Sequence, residues 1–327
     1  MTTSRTVWAI GVACMLCCWV ATTMAMPGCR GKVTLQVVDD AGAVVAGARV
    51  ATHFSPRDAL GEKFTGDDGE ATFSGNPLFG DMSYAVSKEG YYPTSGYYSF
   101  ETVPGAHQRL GRWLPWNATN TVVLKRRMNP IEGAGRAASW RNVGGVCPKA
   151  GEWFGFDLVV GDWLAPLGQG TIPDVSFCFE PGEERTKTVP TAHGPVELRE
   201  TPCQLRVVFA GEGNGYVRRK KDVWSHFWFD YLAPQAGYEH ELCFRAGEHE
   251  DFRSIGPDFG ERDYLIVRIR TQFDEKGNVE HARYGILSGP IRSNWSDKGT
   301  LGEMKYWLNP SDTDPNLEQD NLMRFPM

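Results

Sequence analysis

The residues between Lys32 and Lys125 alternate between apolar and polar side chains, and this period of two restricts the fold more than any other feature. In the first segment Val33, Leu35 and Val37 are separated by polar residues, and turns rich in glycine and aspartate follow. Successive side chains of a β-strand point to opposite faces, so the alternation indicates half-buried strands. No segment of helical length carries a 3.6-residue apolar period. We therefore predict an all-β chain that begins with an antiparallel β-sandwich.

The second half of the chain predicts further strands, at Val175–Glu180, Gln204–Phe209, Glu239–Phe244 and Tyr264–Phe273. A hairpin turn at Asp274–Asn278 follows the last of them, whereas Phe227–Leu232 suits a short helix and a strand equally well. A Gly/Ala-rich stretch at 132–138 indicates a linker. We predict a sandwich at 31–126, a linker at 127–145 and a second antiparallel β-domain at 146–327.

The N-terminus has the pattern of a secretory signal peptide. Arg5 precedes the uncharged run VWAIGVACMLCCWVA at 7–21, and small residues follow up to Ala25. A positive start, an apolar region of about 7–15 residues and a small-residue cleavage site define such a signal. A membrane anchor, the alternative, requires about 20 apolar residues. We predict a signal peptide at 1–25 and export to the periplasm, the outer membrane or the medium.

Cys29 raises the alternative of a lipid anchor. Cleavage after Ala25 leaves five cysteines, an odd number in an oxidising compartment. Gly28 directly precedes Cys29, and a small residue before a cysteine ends a bacterial lipoprotein signal. Met26 and Pro27, however, depart from the residues usual in such signals. Lipidation of Cys29 stays open, and it is the one route by which we expect the protein to reach a membrane.

The other four cysteines suggest two disulfides. Strand alternation places Cys178 and Cys243 among polar residues, and it places Cys203 on the apolar face of its strand. Side chains on opposite faces of one sheet cannot bridge. Among the three connectivities of four cysteines, this favours Cys178–Cys243 and Cys147–Cys203.

Charge and motifs narrow the function classes. The formal net charge is −6, and the basic residues are scattered apart from Arg218–Lys221, a run beside a turn that suits a solvated hairpin. We therefore expect no nucleic-acid partner. His240 and His249 flank Cys243 without the paired spacing of a zinc site, and no nucleotide-binding or hydrolase motif occurs. We expect neither a metal nor a cofactor.

Three aspartates are the densest candidates for chemistry. Asp157, Asp162 and Asp174 lie in the segment FDLVVGDWLAPLGQGTIPD, whose glycines indicate structural turns. Their spacing matches no calcium-binding loop. Two carboxylates across a cleft can hydrolyse a glycosidic bond, so Asp162 and Asp174 are the weak catalytic candidates.

Aromatic residues make up 12% of the chain. Exposed rings stack on sugar faces, whereas buried rings form cores and interfaces. The candidate binding residues are the rings late in the first half, namely Tyr91, Tyr92, Tyr97, Tyr98, Trp113 and Trp116.

The first half resembles the carboxypeptidase regulatory-like domain. The shared pattern consists of Val37 and Asp39 with Gly42, Gly47-Ala48 with Val50, Thr65 with Gly69 and Phe73, and Tyr84 with Val86, Gly90 and Tyr91. The resemblance implies a transthyretin-like sandwich of about seven strands. Such modules are non-catalytic appendages, so the resemblance implies a fold and no activity.

The whole chain also resembles an uncharacterised family of secreted two-domain β proteins from Gram-negative bacteria. The shared elements are Leu124 with Asn129-Pro130, Gly155 to Leu158, Gly161 to Trp163 with Gly168 and Gly170, and Tyr306 with Leu308 and Pro310. We therefore expect an exported, non-catalytic envelope or surface protein that binds a protein or glycan partner. A polysaccharide hydrolase using Asp162 and Asp174 is the alternative.

Overall fold

A computed structural model describes residues 29–55, 60–77, 79–131, 141–147, 149–183, 185–191, 194–200, 203–246, 262–288, 292–295 and 299–319. The predicted signal peptide lies outside these residues. Within them the regular secondary structure consists of β-strands, without a helix, which confirms the predicted all-β class. The described residues divide into two compact units: unit 1 comprises those within 29–88 and 94–124, and unit 2 comprises those within 89–93 and 125–319.

The described residues of unit 1 form nine strands. They are β1 (Gly31–Asp39), β2 (Arg49–His53), β3 (Gly61–Phe64), β4 (Glu70–Gly75), β5 (Asp81–Ser87), β6 (Thr94–Ser99), β7 (His107–Arg109), β8 (Arg112–Leu114) and β9 (Ala118–Leu124). One sheet has the order β4-β1-β9 and a second the order β3-β2-β5-β6, while β7 and β8 form a hairpin. The two larger sheets together contain seven strands, whereas the resemblance to the carboxypeptidase regulatory-like domain implies about seven in all.

One pair of strands in unit 1 departs from the predicted antiparallel arrangement. β1 pairs antiparallel with β4 but parallel with β9, with Val33 opposite Ala118 and Asp39 opposite Leu124. A parallel pair requires a long crossover connection. Here the chain passes through the other sheet between β1 and β9, which supplies that connection.

The core of unit 1 follows the alternation of the sequence. Val33, Leu35 and Val37 of β1 are fully buried, as is Val50 of β2. The two sheets face each other, because an added Cβ at Gly75 of β4 would lie 2.5 Å from Phe54, just beyond β2. These apolar rows confirm the half-buried strands that the period of two predicts.

Unit 2 contains the remaining strands. They are β10 (Arg141–Cys147), β11 (Trp153–Asp157), β12 (Asp162–Trp163), β13 (Val175–Pro181), β14 (Arg185–Thr191), β15 (Gly194–Glu200), β16 (Cys203–Val208), β17 (Gly215–Lys220), β18 (Glu241–Ala246), β19 (Asp263–Phe273), β20 (Val279–Ser288), β21 (Arg292–Trp295) and β22 (Gly299–Leu308). One sheet has the order β12-β11-β13-β16-β18 and another the order β10-β22-β20-β19-β17, with β21 beside β22. β14 and β15 form a hairpin.

The main core of unit 2 lies between these two large sheets. Phe156, Phe177 and Leu205 of the first sheet pack with Leu265 and Val267 of β19 in one buried cluster. The predicted strand and hairpin near residue 270 are confirmed, since β19 and β20 pair antiparallel on either side of the 274–278 turn. Such a face-to-face arrangement buries the apolar side of each sheet.

A second cluster covers the other side of β19. Tyr264 and Ile266 point into it, together with Phe227 and Phe229 from the chain between β17 and β18. The segment Phe227–Leu232 is neither the helix nor the strand that its pattern suits, because its rings pack onto a sheet in an irregular conformation. β19 is therefore buried on both faces from Asp263 to Ile269.

Unit 2 also includes two stretches that the sequence analysis assigned to the sandwich at 31–126 and to the linker at 127–145. Residues 89–93, between β5 and β6 along the chain, contribute Tyr92 to the second cluster. Residues 125–131 lie in unit 2 as well, and Ile131 forms an isolated bridge with Gln319. Of the predicted linker, 132–140 lies outside the described residues, and β10 begins at Arg141.

Candidate functional site

The segment that contains the three candidate aspartates connects β11 to β13. Asp157 is the last residue of β11, Asp162 begins β12, and Asp174 directly precedes β13. Asp157 is fully buried and Asp174 is 2% exposed, whereas Asp162 is half-buried. An ionised carboxylate is costly to bury unless it is paired and hydrogen-bonded, so the partners of these groups determine their role.

Backbone N–H groups surround the carboxylate of Asp157. Its Oδ1 accepts hydrogen bonds from Val159 N at 3.0 Å and Val160 N at 2.9 Å. Its Oδ2 accepts from Thr171 N and Ile172 N, both at 3.2 Å. One side chain therefore fixes both the turn that follows β11 and the later part of the segment. Aspartate side chains commonly form such hydrogen bonds to backbone groups in turns.

Arg270 of β19 joins Asp157 to Asp174. Its Nη2 donates to Asp157 Oδ1 at 2.6 Å, and its Nε and Nη2 donate to the two oxygens of Asp174 at 2.9 and 3.0 Å. Arg270 has a φ of 54°, a conformation that L-residues seldom adopt. The ladder between β19 and β20 is irregular just beyond Ile269, and this irregularity directs the guanidinium towards the aspartates.

The two buried aspartates have pKa shifts of opposite sign. Burial by itself raises the pKa of Asp157, but the donors Val160, Thr171 and Ile172 and the charge of Arg270 stabilise its ionised form and lower the pKa overall. Burial raises the pKa of Asp174, and the hydrogen bond and charge of Arg270 offset only part of that increase.

Asp162 organises the turn around β12. Its Oδ1 accepts from Trp163 N at 2.8 Å, and its Oδ2 accepts from Gln169 N at 2.9 Å. The glycines are required for space: a Cβ at Gly170 would lie 2.7 Å from the carbonyl oxygen of Asp162 and 2.9 Å from Asp157 Cβ. Both oxygens of Asp162 thus hold the backbone of the segment that contains it.

These contacts make the aspartate segment a structural element. A catalytic carboxylate must reach its substrate, but Asp174 is enclosed by protein and held by Arg270. In the described part of the chain, no group of three or more His, Cys, Asp or Glu side chains is placed to hold a metal ion. The sequence did not assign Arg270 a role, because it lies 96 residues beyond Asp174 in a strand that also contains Arg268.

The six candidate rings fall into three groups. Tyr92, Tyr98 and Trp113 are buried, with exposures of 0%, 6% and 7%, so they have no face available to a ligand. Tyr91 and Trp116 are half-buried, each with an arginine over its ring. Tyr97 is 70% exposed.

Tyr97 lies on the outer face of the sheet β3-β2-β5-β6. Tyr97 of β6 is paired with Ser83 of β5, and in the adjacent row Ser95 is paired with Ala85, which is paired with Ala51. The alternate residues of these strands, among them Val50, Met82 and Val86, point into the core. His53 of β2 is paired with Ser83 and therefore shares the row of Tyr97. We call the surface formed by Ala51, His53, Ser83, Ala85, Ser95 and Tyr97 the Tyr97 face.

The cysteines do not form the predicted Cys178–Cys243 disulfide. Both residues oppose Arg206 of β16, Cys178 from β13 and Cys243 from β18, so all three share one face of the sheet. Neighbouring strands are about 4.8 Å apart, which separates the two cysteines by about 10 Å. A disulfide requires Cα atoms within about 7 Å, so the intervening strand excludes this bridge. Cys147 and Cys203 lie on strands of different sheets, and their side chains are outside the described residues.

Cys29 is part of the fold of unit 1. Its side chain is half-buried, and its Sγ donates to Gln108 Oε1 at 3.1 Å. Arg30 N donates to Gly111 O at 2.8 Å, and β1 begins one residue later. The chain is therefore held against the β7–β8 hairpin directly at Cys29. Within the described ranges, the structure has no helix long and apolar enough to cross a bilayer.

Comparisons with known proteins reveal only distant likenesses. No model of a known protein family matches the chain, and no curated protein matches its sequence. Chlorocatechol 1,2-dioxygenase from Pseudomonas putida is 17% identical over 31% of this chain, with a TM-score of 0.24, and the match spans 61% of the dioxygenase. The major pilin subunit of Bacillus cereus is 9% identical, with 90% of this chain and 97% of the pilin covered and a TM-score of 0.23.

A DUF3823 family protein from Parabacteroides merdae is 10% identical, with 85% of this chain and 98% of that protein covered and a TM-score of 0.20. At these TM-scores none of the likenesses carries an argument about function. The resemblance of unit 1 to the carboxypeptidase regulatory-like domain stays a prediction from its sequence pattern.

Proposed function

We propose that this protein is an exported, non-catalytic binding protein of the bacterial cell envelope, and that it binds a glycan on the Tyr97 face. The observation that carries the proposal is the exposure of Tyr97, 70%, beside alanine and serine side chains, with His53 at the other end of its row. Single exposed aromatic residues are common on protein surfaces, so the choice of Tyr97 rests on its place on a sheet face of small polar and apolar side chains.

The chemistry of the Tyr97 face suits a sugar chain. The flat tyrosine ring offers a surface for the apolar C–H face of a pyranose, and its hydroxyl group forms hydrogen bonds. Ser83 and Ser95 add hydroxyl groups, whereas Ala51 and Ala85 have small apolar side chains. Small side chains beside a protruding ring leave room for an extended polymer to lie across the strands.

Charge on the same side of the sheet disfavours an acidic ligand. Arg49 and Glu62 form an ion pair at 2.7 Å, with Arg49 on β2 and Glu62 on β3, so these two charges offset each other. The exposed carboxylate of Asp81 lies on the same face, two residues before Ser83, and adds a negative charge. A neutral polysaccharide therefore fits this surface better than an acidic protein segment.

Export is supported by the sequence of residues 1–25, and the contacts of Cys29 favour cleavage after Ala25 over lipidation. A lipid on Cys29 would disrupt the Sγ contact with Gln108 and leave almost no tether before β1. Mass spectrometry of the N-terminus of protein recovered from a bacterial envelope fraction tests this. A chain that begins at Met26 is expected, and a diacylglyceryl-modified Cys29 would overturn the choice.

The glycan proposal is tested on an array with the mature protein and three variants. Tyr97→Ala is expected to weaken glycan binding about tenfold or more, as for a central aromatic contact, while Tyr97→Phe retains most of it. Phe79→Ala is the matched control, because Phe79 is a 78% exposed ring elsewhere in unit 1. All three variants should melt close to the parent protein.

Two results would overturn the proposal. One is the absence of binding to any neutral glycan, and the other is binding that Tyr97→Ala leaves unchanged. If a protein ligand binds the parent but not Tyr97→Ala, and no glycan binds, the partner of the Tyr97 face is a protein and not a glycan. The hydrolase alternative has no support from the geometry, since Asp174 is buried against Arg270.

A further inference from the structure

A row of three arginines crosses the β7–β8 hairpin and the start of β1. Arg109 of β7 is paired with Arg112 of β8, and Arg112 forms an isolated parallel bridge with Arg30. Side chains of paired residues lie on the same face of a sheet, and neighbouring strands are about 4.8 Å apart. All three arginines are exposed. We call these three residues the arginine row.

The arginine row has no acidic partner among the residues that the structure describes. None of the three arginines forms an ion pair there, and Arg30 donates to the uncharged Ser74 Oγ at 3.2 Å. The two chain segments that contain the row, 26–38 and 102–131, have no aspartate or glutamate, although the whole chain has a net charge of −6. Like charges directly opposite each other destabilise a sheet. An anion bound along the row would offset that repulsion.

Leu110 lies at the tip of the same hairpin, between two arginines of the row. It forms the two-residue turn with Gly111, and both residues have a positive φ, 50° and 72°. Such turns favour Asn-Gly, and a bulky side chain at positive φ is an outlier. Leu110 is also 93% exposed. A single exposed leucine is common on protein surfaces, so the argument rests on its position in this turn beside the arginine row.

We propose that the β7–β8 hairpin docks the protein on an anionic phospholipid membrane. The side chain of Leu110 enters the boundary between headgroups and acyl chains, and the arginine row binds the surrounding phosphate groups. Guanidinium groups form bidentate hydrogen bonds with phosphate, and basic residues near an anionic bilayer are attracted to its surface. An apolar side chain flanked by cations suits the membrane interface.

The apolar tip favours a membrane over a soluble phosphate, because a free phosphate offers no apolar surface to Leu110. This contact requires no lipid on Cys29, so it is a route to a membrane that the sequence did not indicate. It also uses no residue of the Tyr97 face, and the two proposals can therefore be tested separately.

Co-sedimentation of the mature protein, residues 26–327, with phospholipid vesicles tests the proposal. Phosphatidylcholine vesicles that contain about 30% phosphatidylglycerol should bind the protein, whereas vesicles of phosphatidylcholine alone should bind it far more weakly. Raising the salt concentration to about 0.5 M should weaken the binding, because salt screens the attraction between exposed charges.

Leu110→Asn tests the apolar contact. We expect it to weaken binding to the anionic vesicles about tenfold, since burial of one leucine side chain contributes about that factor. Because asparagine before glycine is favoured in this turn, the variant should keep the hairpin folded. Leu60→Asn is the matched control, because Leu60 is a 59% exposed leucine elsewhere in unit 1, and it should bind as the parent does.

The arginine row is tested by charge removal. Arg109→Gln should weaken binding about fivefold and the double variant with Arg30→Gln about 25-fold, a factor of about five for each cation near an anionic surface. Arg49→Gln removes the same charge from β2, and Tyr97→Ala alters the Tyr97 face, so both should bind nearly as tightly as the parent. The proposal is overturned if the parent does not bind anionic vesicles, if Leu110→Asn binds them equally well, or if Arg49→Gln weakens binding as much as Arg109→Gln.

Discussion

Arg270 binds Asp174 through two guanidinium nitrogens, Nε to Oδ1 at 2.9 Å and Nη2 to Oδ2 at 3.0 Å. The same Nη2 reaches Asp157, so one cation from β19 pairs with two carboxylates that flank the segment between β11 and β13. Both aspartates are almost fully buried, whereas the side chain of Arg270 is 26% exposed. Asp157 and Asp174, which the sequence singled out as candidates for chemistry, therefore connect the two sheets of unit 2 through Arg270.

Replacing Arg270 should destabilise the protein strongly. Arg270→Gln leaves two buried carboxylates without their cation, and removing one partner of a buried pair costs about 3–5 kcal/mol. Urea denaturation at neutral pH measures this loss. Arg283→Gln on the neighbouring β20 is the control: it removes one hydrogen bond to the carbonyl of Pro310, worth about 0.5–1.5 kcal/mol. Equal losses in the two variants would contradict the role of Arg270.

Because of Asp157, we expect the free energy of unfolding to fall as the pH is lowered. Its pKa is lower in the folded chain than the value of about 3.9 in an unfolded one, so the unfolded chain takes up the proton first as the pH falls. Its contribution is thus complete above the unfolded pKa and is lost towards the folded pKa. Asp174, whose pKa is raised, acts in the opposite direction.

We expect the free energy of unfolding of Asp157→Asn to fall less steeply than that of the parent between about pH 5 and pH 3. Urea titrations at several pH values give the two slopes. Parallel slopes would show that Asp157 is not the group responsible.

The aspartate segment shows which structural features the sequence predicts and which it does not. Its glycines and aspartates correctly indicated turns, because the carboxylates of Asp157 and Asp162 bond to backbone groups within the segment. The partner Arg270 is 96 residues beyond Asp174 in the sequence, and local patterns contain no information about so distant a contact. Likewise, Tyr92 lies between two strands of unit 1 in the sequence, yet it packs in the core of unit 2.

The cysteines show the same limit of sequence-based prediction for strands. The alternation correctly placed Cys178 and Cys243 on one face, since both oppose Arg206 in register. Which strand lies between them depends on the order of strands in the sheet. That order is fixed by long-range packing, and the period of two within a strand does not report it.

Peptide mapping under non-reducing conditions should therefore yield no peptide that links Cys178 to Cys243. The strand β16 holds the two cysteines about 10 Å apart, and a bridge would require it to leave the sheet. Recovery of that peptide from folded, monomeric protein would contradict the strand order β13-β16-β18.

Trp113 should behave as a core residue. It is 7% exposed, and its ring centre lies 6.5 Å from that of Phe100. Trp113→Ala is expected to lower the free energy of unfolding by about 3–5 kcal/mol, the usual range for a buried tryptophan. Trp116 is half-buried, so Trp116→Ala should cost less. A Trp113→Ala protein that unfolds at the parent's urea midpoint would contradict this assignment.

The hydrogen bond between Tyr92 and Glu318 should hold the segment 89–93 in unit 2. Tyr92 Oη donates to Glu318 Oε1 at 2.9 Å, and the same carboxylate accepts from Met128 N and Asn129 N at 2.9 and 2.6 Å. The Tyr92 ring also stacks on Phe227, so Tyr92→Phe removes the hydroxyl group and keeps the packing.

A hydrogen bond to a buried charged group contributes about 1.5–3 kcal/mol, and one to a neutral group about 0.5–1.5 kcal/mol. Tyr92→Phe should therefore cost more than Tyr306→Phe, whose hydroxyl group donates to the neutral carbonyl of Leu158 at 2.9 Å. A double-mutant cycle with Glu318→Gln, followed by urea denaturation, isolates the coupling between the two residues. Additive losses in the cycle, or a smaller loss for Tyr92→Phe than for Tyr306→Phe, would show that Glu318 does not hold the segment through this bond.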